Sequence, residues 1–123
     1  MHKKSINKVI LIGNIGNKPE CRYTPSGSPV TSFSLATNET WINSDNEKVD
    51  NTEWHNIIAW NKLAEFSNKY LYKGQSIYLE GKIHTSSWED EKHGHKKTRV
   101  EIICSNIVPL EWNNSSDAED KSD

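Results

Sequence analysis

Apolar positions along this chain fall into short runs and alternations, and only one segment has a helical stripe. Val9-Ile10-Leu11-Ile12 is a continuous, largely β-branched run, which suits a strand covered on both faces, and Gly13, Asn14 and Gly16 then let the chain bend. Tyr23 to Pro29 is a loop by composition. Val30 to Thr37 alternates, with Phe33 and Leu35 on one face and Ser32, Ser34 and Ala36 on the other. The polar run 43–53, flanked by Trp41 and Trp54, predicts a long hairpin loop. Trp54 to Trp60 is the next strand, whose period of two places Trp54, Asn56, Ile58 and Trp60 on one side and sets the two indoles roughly 20 Å apart.

Asn61 is placed to cap a helix running through Lys73, with Leu63, Phe66 and Tyr70 at spacings of three and four and Gly74 positioned to end it. From Gln75 to Trp88 the pattern alternates again: Ile77, Leu79 and Ile83 face one way, and Tyr78, Glu80, Lys82, His84, Ser86 and Trp88 the other. Gly81 marks a bulge or sharp bend within it. Residues 89–95 read as a turn, and Thr98 to Cys104 with Asn106 to Leu110 complete the strands. The expected fold is mainly all-β: a five-stranded Greek-key barrel of OB type with one short α-helix between strands 3 and 4.

At 123 residues with 33% hydrophobic side chains, one domain is expected, with a core that is small or supplemented by association between subunits. The formal charge of -2 argues at first against a nucleic-acid partner. It is a sum over two unlike regions. Residues 113–123 carry four acids and one lysine, whereas residues 1–112 carry 14 basic and 13 acidic side chains. The Ser/Asn/Asp-rich end has too little apolar surface to offset the entropy of ordering it. The expected organisation is therefore a folded domain over 1–112 and a disordered acidic tail over 113–123.

Cys21 and Cys104 are too few for a disulfide framework and have no CxxC spacing, which suggests a reducing compartment. No run approaches the ~18 apolar residues of a membrane span, and the first residues lack the apolar core of a secretory signal. A cytoplasmic location is expected. No phosphate-cradling glycine loop, nucleophile elbow or HExxH helix is present, so no reaction and no cofactor is assigned. His93 and His95 on a flexible turn, with His84 upstream, make a weak metal set without a nearby cysteine or an ordered carboxylate pair, and no metal is expected.

On composition alone, Trp41, Trp54, Trp60 and Trp88 would be core residues. Their context argues otherwise. Trp54 and Trp60 share a face with Asn56, and Trp88 shares one with Lys82 and His84, while the aliphatic side chains of its strand take the opposite parity. Ile58 alone fits this picture badly. An aromatic face interleaved with polar and basic residues suits a single-stranded nucleic acid, because unstacked bases lie flat on aromatic rings and lysines follow the phosphates. Lys4, Lys8, Lys62, Lys69, Lys73, Lys82, Lys96, Lys97 and Arg99 are the cations available to such a face. His55, on the other side of its strand, reads as an interior or interface histidine.

These residues resemble the bacterial-type single-stranded DNA-binding proteins. The resemblance is carried by Asn7 to Gly16, Pro19 to Tyr23, Phe33 to Thr37, Thr52 to His55, Lys62 to Glu65, Tyr70 to Gly74 and Tyr78 to Gly81, in order and at matching spacing. It implies an OB-fold subunit of a homotetramer that binds single-stranded DNA without sequence preference in replication, recombination and repair, and so a nucleoid-associated place in the cytoplasm. It implies stacking by Trp41, Trp54 and Trp88, with Trp60 where the family often has phenylalanine. Phosphate contacts are expected from Lys8, Lys62, Lys73 and Lys97, with Lys4 and Lys82 as further candidates, and His55 and Tyr78 fall at positions of subunit contact.

Two departures qualify the resemblance. His84, Ser86, Ser87, Asn56 and Tyr72 stand where relatives are often basic, so weaker or more salt-sensitive DNA binding than in the most basic relatives is expected. Bacterial members usually finish in an acidic tip closing in Pro-Phe that docks onto replication and repair enzymes; this chain ends in Asp117, Glu119, Asp120 and Asp123 with no terminal hydrophobic pair, which makes that recruitment route doubtful. A dimeric OB scaffold of the primosomal type is the alternative reading, and four tryptophans on one module argue against it.

Overall fold

The computed structural model describes residues 4–92 and 94–112; the expected tail over 113–123 and His93 lie outside the described residues. Six strands and one helix follow in the order β1 (Val9–Ile15), β2 (Glu20–Tyr23), β3 (Pro29–Ile42), β4 (Lys48–Trp60), α1 (Lys62–Tyr70), β5 (Ser76–Asp90) and β6 (His95–Pro109). The sheet runs β1-β5-β6-β4-β3-β2, and a further pairing of β1 with β3 closes five of the strands into a barrel. This is the OB barrel expected from the strand order, with the helix between the third and fourth barrel strands. β1 serves two neighbours: it pairs with β5 from Val9 to Asn14 and with β3 through Asn14 and Ile15. Gly13 sits at that switch, where a β-carbon would collide with the Ala36 carbonyl.

The core follows the alternation. Phe33 and Leu35 of β3, Ile57 and Ala59 of β4, Ile77 and Leu79 of β5, and Ile102, Cys104 and Ile107 of β6 are buried together with Ile15 and Leu71. Helix α1 covers one end, with Leu63 and Phe66 packed against this cluster. The buried hydroxyl of Thr31 in β3 donates to the Ala64 carbonyl at 2.7 Å and ties helix to barrel.

The structure corrects several expectations. The polar run 43–53 is mostly strand, because β3 extends to Ile42, β4 starts at Lys48, and only 43–47 turn. This outer ribbon is exposed on both faces, so it has no apolar alternation to read. Cross-strand side-chain pairs hold it instead: Thr40 donates to Asp50 at 2.8 Å, and Thr52 to Asn38 at 2.7 Å, each pair directly opposite in the register. β2 was also hidden, being four residues long with no buried side chain.

Asn61 does not cap α1 through its side chain. It adopts φ 55°, a conformation asparagine tolerates better than most residues, while its N–H donates to the Pro29 carbonyl and its own carbonyl accepts from Glu65, both at 3.0 Å. The helix stops at Tyr70, three residues before Lys73, because the buried Leu71 takes up an extended conformation. Gly74 turns the chain afterwards at φ 90°, its N–H donating to the Ile15 carbonyl at 2.7 Å.

In β5 the alternation fails at Ile83, which is 51% exposed. Ile102 of β6, directly opposite Ile83, is the last residue of this pair in the core; past it Val100 is exposed as well, and the β5–β6 pair runs on as a second two-stranded ribbon with no core to meet. The bend lies where expected: the β5–β6 register shifts between Glu80 and Gly81, and Ser105 of β6 is the extra residue.

Candidate nucleic-acid interface

The strand registers define the outer face of the barrel. Residues directly opposite in a sheet point the same way, so Trp54 shares a face with Ala36, Asn56 with Ser34, Ile58 with Ser32, and Trp60 with Val30 and, one strand further, Arg22. β4 and β6 meet in parallel at Ile57–Ile102 and Ile58–Ile103. Ile57 and Ile102 belong to the core, whereas Ile58 and Ile103 are half-buried side by side on the outside. The isoleucine that fitted the aromatic face poorly thus lines its floor between the two indoles.

On β5 the same face continues through Lys82, His84, Ser86 and Trp88, opposite Ile103, Glu101, Arg99 and Lys97 of β6. Trp54, Trp60 and Trp88 are 59%, 41% and 49% exposed, so burial does not account for them. Trp41 is also exposed, at 45%, but stands apart: it pairs with Val49 out on the β3–β4 ribbon, on the parity opposite to Trp54. The expected pair of indoles at the two stems of one loop is therefore not formed.

Around Trp54 the surface is shaped. One depression is lined by Trp54, His55, Asn56, Arg99, Val100 and Ile102; a second, beside it, by Asn17, Glu20, Ser32, Ser34, Asn56 and Arg99 among others. Asn56 Nδ2 donates to the Val100 carbonyl at 3.3 Å, and Asn17 Oδ1 accepts from both the backbone N–H and the hydroxyl of Ser34 at 2.7 Å. Arg99 lies between the two hollows, its Nε 3.9 Å from Glu101.

The expected cations are distributed unevenly. Lys8 and Lys82 line one groove with Asn7, Gly81 and Ser105, and Lys8 is 3.9 Å from Glu80. Lys97 stands opposite Trp88. Lys62 follows Trp60 at the start of α1, and Lys73 is exposed in the turn after the helix. Lys4 is exposed ahead of β1. Two arginines join this face without having been assigned to it. Arg99 was only one of several scattered cations, and Arg22, 3.6 Å from Glu20, went unseen because residues 20–22 of β2 were assigned to no element. Trp112 was missed as well; it meets Phe66 and Tyr70 edge-on, with ring centroids 6.3 Å and 5.9 Å away.

His55 and Tyr78 lie off the aromatic face. His55 is half-buried on the core side of β4, opposite Leu35, and its Nε2 is 2.9 Å from the Thr37 hydroxyl. Tyr78 sits on the outer side of the β1–β5–β6 part of the sheet, between Ile12 and Val108. Its hydroxyl hydrogen-bonds to Glu80, and this bond to a carboxylate holds the phenol above its usual range. Ile10, Ile12 and Val108 beside it are all exposed. Both cysteines are free thiols; Cys104 is buried, and loss of hydration pushes its thiol up to about 12. Among the described residues, no three His, Cys, Asp or Glu side chains cluster to hold a metal.

The profile of the Single-strand binding protein family matches residues 6–110, nearly the whole described barrel. The chain belongs to that family. It is 47% identical over 107 residues to Single-stranded DNA-binding protein 1 of Chlorobaculum tepidum, covering 87% of this chain and 66% of that protein. It is 44% identical over 112 residues to the Single-stranded DNA-binding protein of Neisseria meningitidis serogroup A, covering 91% and 64%. The chain thus spans just under two thirds of the length of these relatives. Among solved structures, the Plasmodium falciparum SSB in complex with single-stranded DNA superposes with a TM-score of 0.80 at 36% identity, over 90% of this chain and all of that one. A deletion mutant of the Thermus aquaticus single-stranded DNA-binding protein superposes with a TM-score of 0.76 at 30% identity, over 88% and 52%.

Proposed function

We propose that this chain of the single-strand binding protein family binds single-stranded DNA without sequence preference, laying it along the outer barrel face and organising it during replication, recombination and repair. The observation that carries the proposal is the placement of Trp54, Trp60 and Trp88 on one exposed face with Arg99, Lys82 and Lys97 among them. An exposed indole is costly in water unless a partner covers it, and a base has a flat ring that fits. Each stacked base contributes roughly 1–3 kcal/mol, and nearby cations add the phosphate attraction. Trp41 serves where a strand crosses to the other side of the β3–β4 ribbon. Lys4, Lys8, Lys62 and Lys73 extend the cationic border. No reaction or cofactor enters the proposal. Replication and repair proteins are its further partners, and the nucleoid its place of action.

The working molecule is proposed to be a homotetramer. The exposed apolar strip of Ile10, Ile12, Tyr78 and Val108 supports association, and a small barrel gains most from covering such a strip with a second copy. His55 is proposed to lie at or near a subunit contact, with its hydrogen bond to Thr37 setting the ring orientation. Anisotropy titrations with oligo-dT, oligo-rU and duplex DNA test the binding. Strong binding to oligo-dT and little to duplex is expected; equal affinity for duplex would reject the proposal. Light scattering on the same protein should give four copies, and Ile12→Lys should lower that number.

A further inference from the structure

The outer face ends at Trp60, but an aromatic and cationic pattern continues beyond it on α1. With 100° between successive residues, Lys62, Phe66, Lys69 and Tyr70 fall within about one third of the helix circumference. Ala64 and Ser67, the residues α1 buries, lie on another side. Phe66 packs partly into the core and against Tyr70, with ring centroids 5.2 Å apart. Lys69 places its ammonium 5.3 Å from the centre of the Tyr70 ring.

Trp112 completes this arrangement. Its contacts with Phe66 and Tyr70 are near perpendicular, at 85° and 79°, a geometry that fixes the indole by its surroundings yet leaves it 57% exposed. Chain anchoring close by holds it in place: the Gln75 amide donates to the Glu111 carbonyl at 2.7 Å, and the Ser76 N–H to the Glu111 carboxylate at 3.0 Å. An exposed tryptophan that meets two ordered rings edge-on, one of them carrying the Lys69 ammonium, has the composition of the barrel face. It lies just past β6 and packs against α1, the element that directly follows Trp60.

We infer that Trp112, propped by Tyr70 and Phe66, is a fifth base-stacking indole that carries single-stranded DNA from Trp60 across α1, with Lys69 on the phosphates. This rests on the reading of the barrel face as the DNA site. The occupant is single-stranded nucleic acid on two grounds: the Lys69 ammonium on the Tyr70 ring, with Lys62 on the same side of the helix, and the start of α1 directly after Trp60.

Oligo-dT of increasing length tests it, using the parent chain, Trp112→Ala, Trp112→Phe and Lys69→Ala. The shortest oligomers that the Trp54–Trp60 face holds should bind the parent and Trp112→Ala equally. Longer oligomers should bind Trp112→Ala at least roughly fivefold more weakly, the low end of what one stacked base supplies, and Trp112→Phe should recover most of the loss. Lys69→Ala should lower the slope of log affinity against log salt by ~0.7 for the long oligomers alone. An affinity ratio of one at every length would overturn the inference, as would a smaller assembly for Trp112→Ala in light scattering, since the indole would then be a contact between copies. If the parent itself bound no oligo-dT of any length, the underlying DNA-binding reading would be the one to fail.

Discussion

The six-membered ring of Trp54 rests on the backbone of Gly16: a β-carbon built on that glycine would collide with the ring atoms Cζ3 and Cη2 and with the Ser34 hydroxyl. Gly16 is thus part of the aromatic face although it contributes no side chain. It lets an indole from β4 lie down on the chain leaving β1, and so fixes which way the exposed ring surface points.

Gly16→Ala should therefore displace Trp54 and lower oligo-dT affinity nearly as much as Trp54→Ala, while costing about 1–3 kcal/mol of stability from overpacking. In a double-mutant cycle, Gly16→Ala should add little further loss of binding once Trp54 is alanine. Full additivity in that cycle would mean that the glycine acts elsewhere.

Trp54→Ala, Trp60→Ala and Trp88→Ala should each weaken oligo-dT binding by roughly 1–3 kcal/mol and shift the urea midpoint far less than a core substitution, because all three indoles are exposed and outside the core cluster. Trp41→Ala should have a measurable effect only on DNA long enough to cross the β3–β4 ribbon, since its ring occupies the opposite parity. An equal loss on the shortest oligomers would contradict this assignment of faces.

Arg99 lies between the two hollows beside Trp54, and Arg22 is aligned with Trp60 across β2 and β3. Salt titrations of Arg99→Ala and Arg22→Ala should show weaker binding together with a slope about 0.7 flatter for each lost phosphate contact. Both features together distinguish a phosphate contact from a general loss of fold.

Burial of Cys104 predicts selective thiol chemistry. Near neutral pH, iodoacetamide should label Cys21 in the folded protein and leave Cys104 untouched until denaturant is added. Because the folded thiol is raised from near 9 to about 12, the unfolded chain loses this proton first. Stability from Cys104 is therefore complete below about pH 9 and should decline as the pH climbs from 9 towards 12. Cys104→Ala should remove that part of the alkaline decline; an unchanged pH profile would place the effect on other groups.

Much of the barrel was legible because its core obeys strict alternation: Phe33 and Leu35, Ile57 and Ala59, Ile77 and Leu79 all point inward as their spacing requires. What escaped was whatever lacks a buried face. The β3–β4 ribbon is held by Thr40–Asp50 and Asn38–Thr52 pairs, which resemble loop composition, and Ile83 looks like a core residue until the β5–β6 pair is seen to leave the barrel. Asn61 has the residue type of a helix cap, yet the turn from β4 uses its positive φ instead.

The same distinction holds at the site. Period-two spacing correctly joined Trp54 to Trp60, and Trp88 to Lys82, within single strands. Adjacency between strands depends on register, so the positions of Arg99 and Arg22, the opposite side taken by Trp41, and the Gly16 support required the structure. Trp112 could have been suspected from Phe66 and Tyr70, which leave a ring pair at helical spacing on α1.

Intrinsic tryptophan fluorescence reads directly whether bases stack on the exposed indoles of the outer barrel face. Titration with oligo-dT should quench the emission strongly, Trp54→Ala and Trp88→Ala should each remove part of the quench, and duplex DNA should leave the emission nearly unchanged. Saturating oligo-dT without quenching, or quenching of the same depth by duplex, would contradict stacking on these indoles.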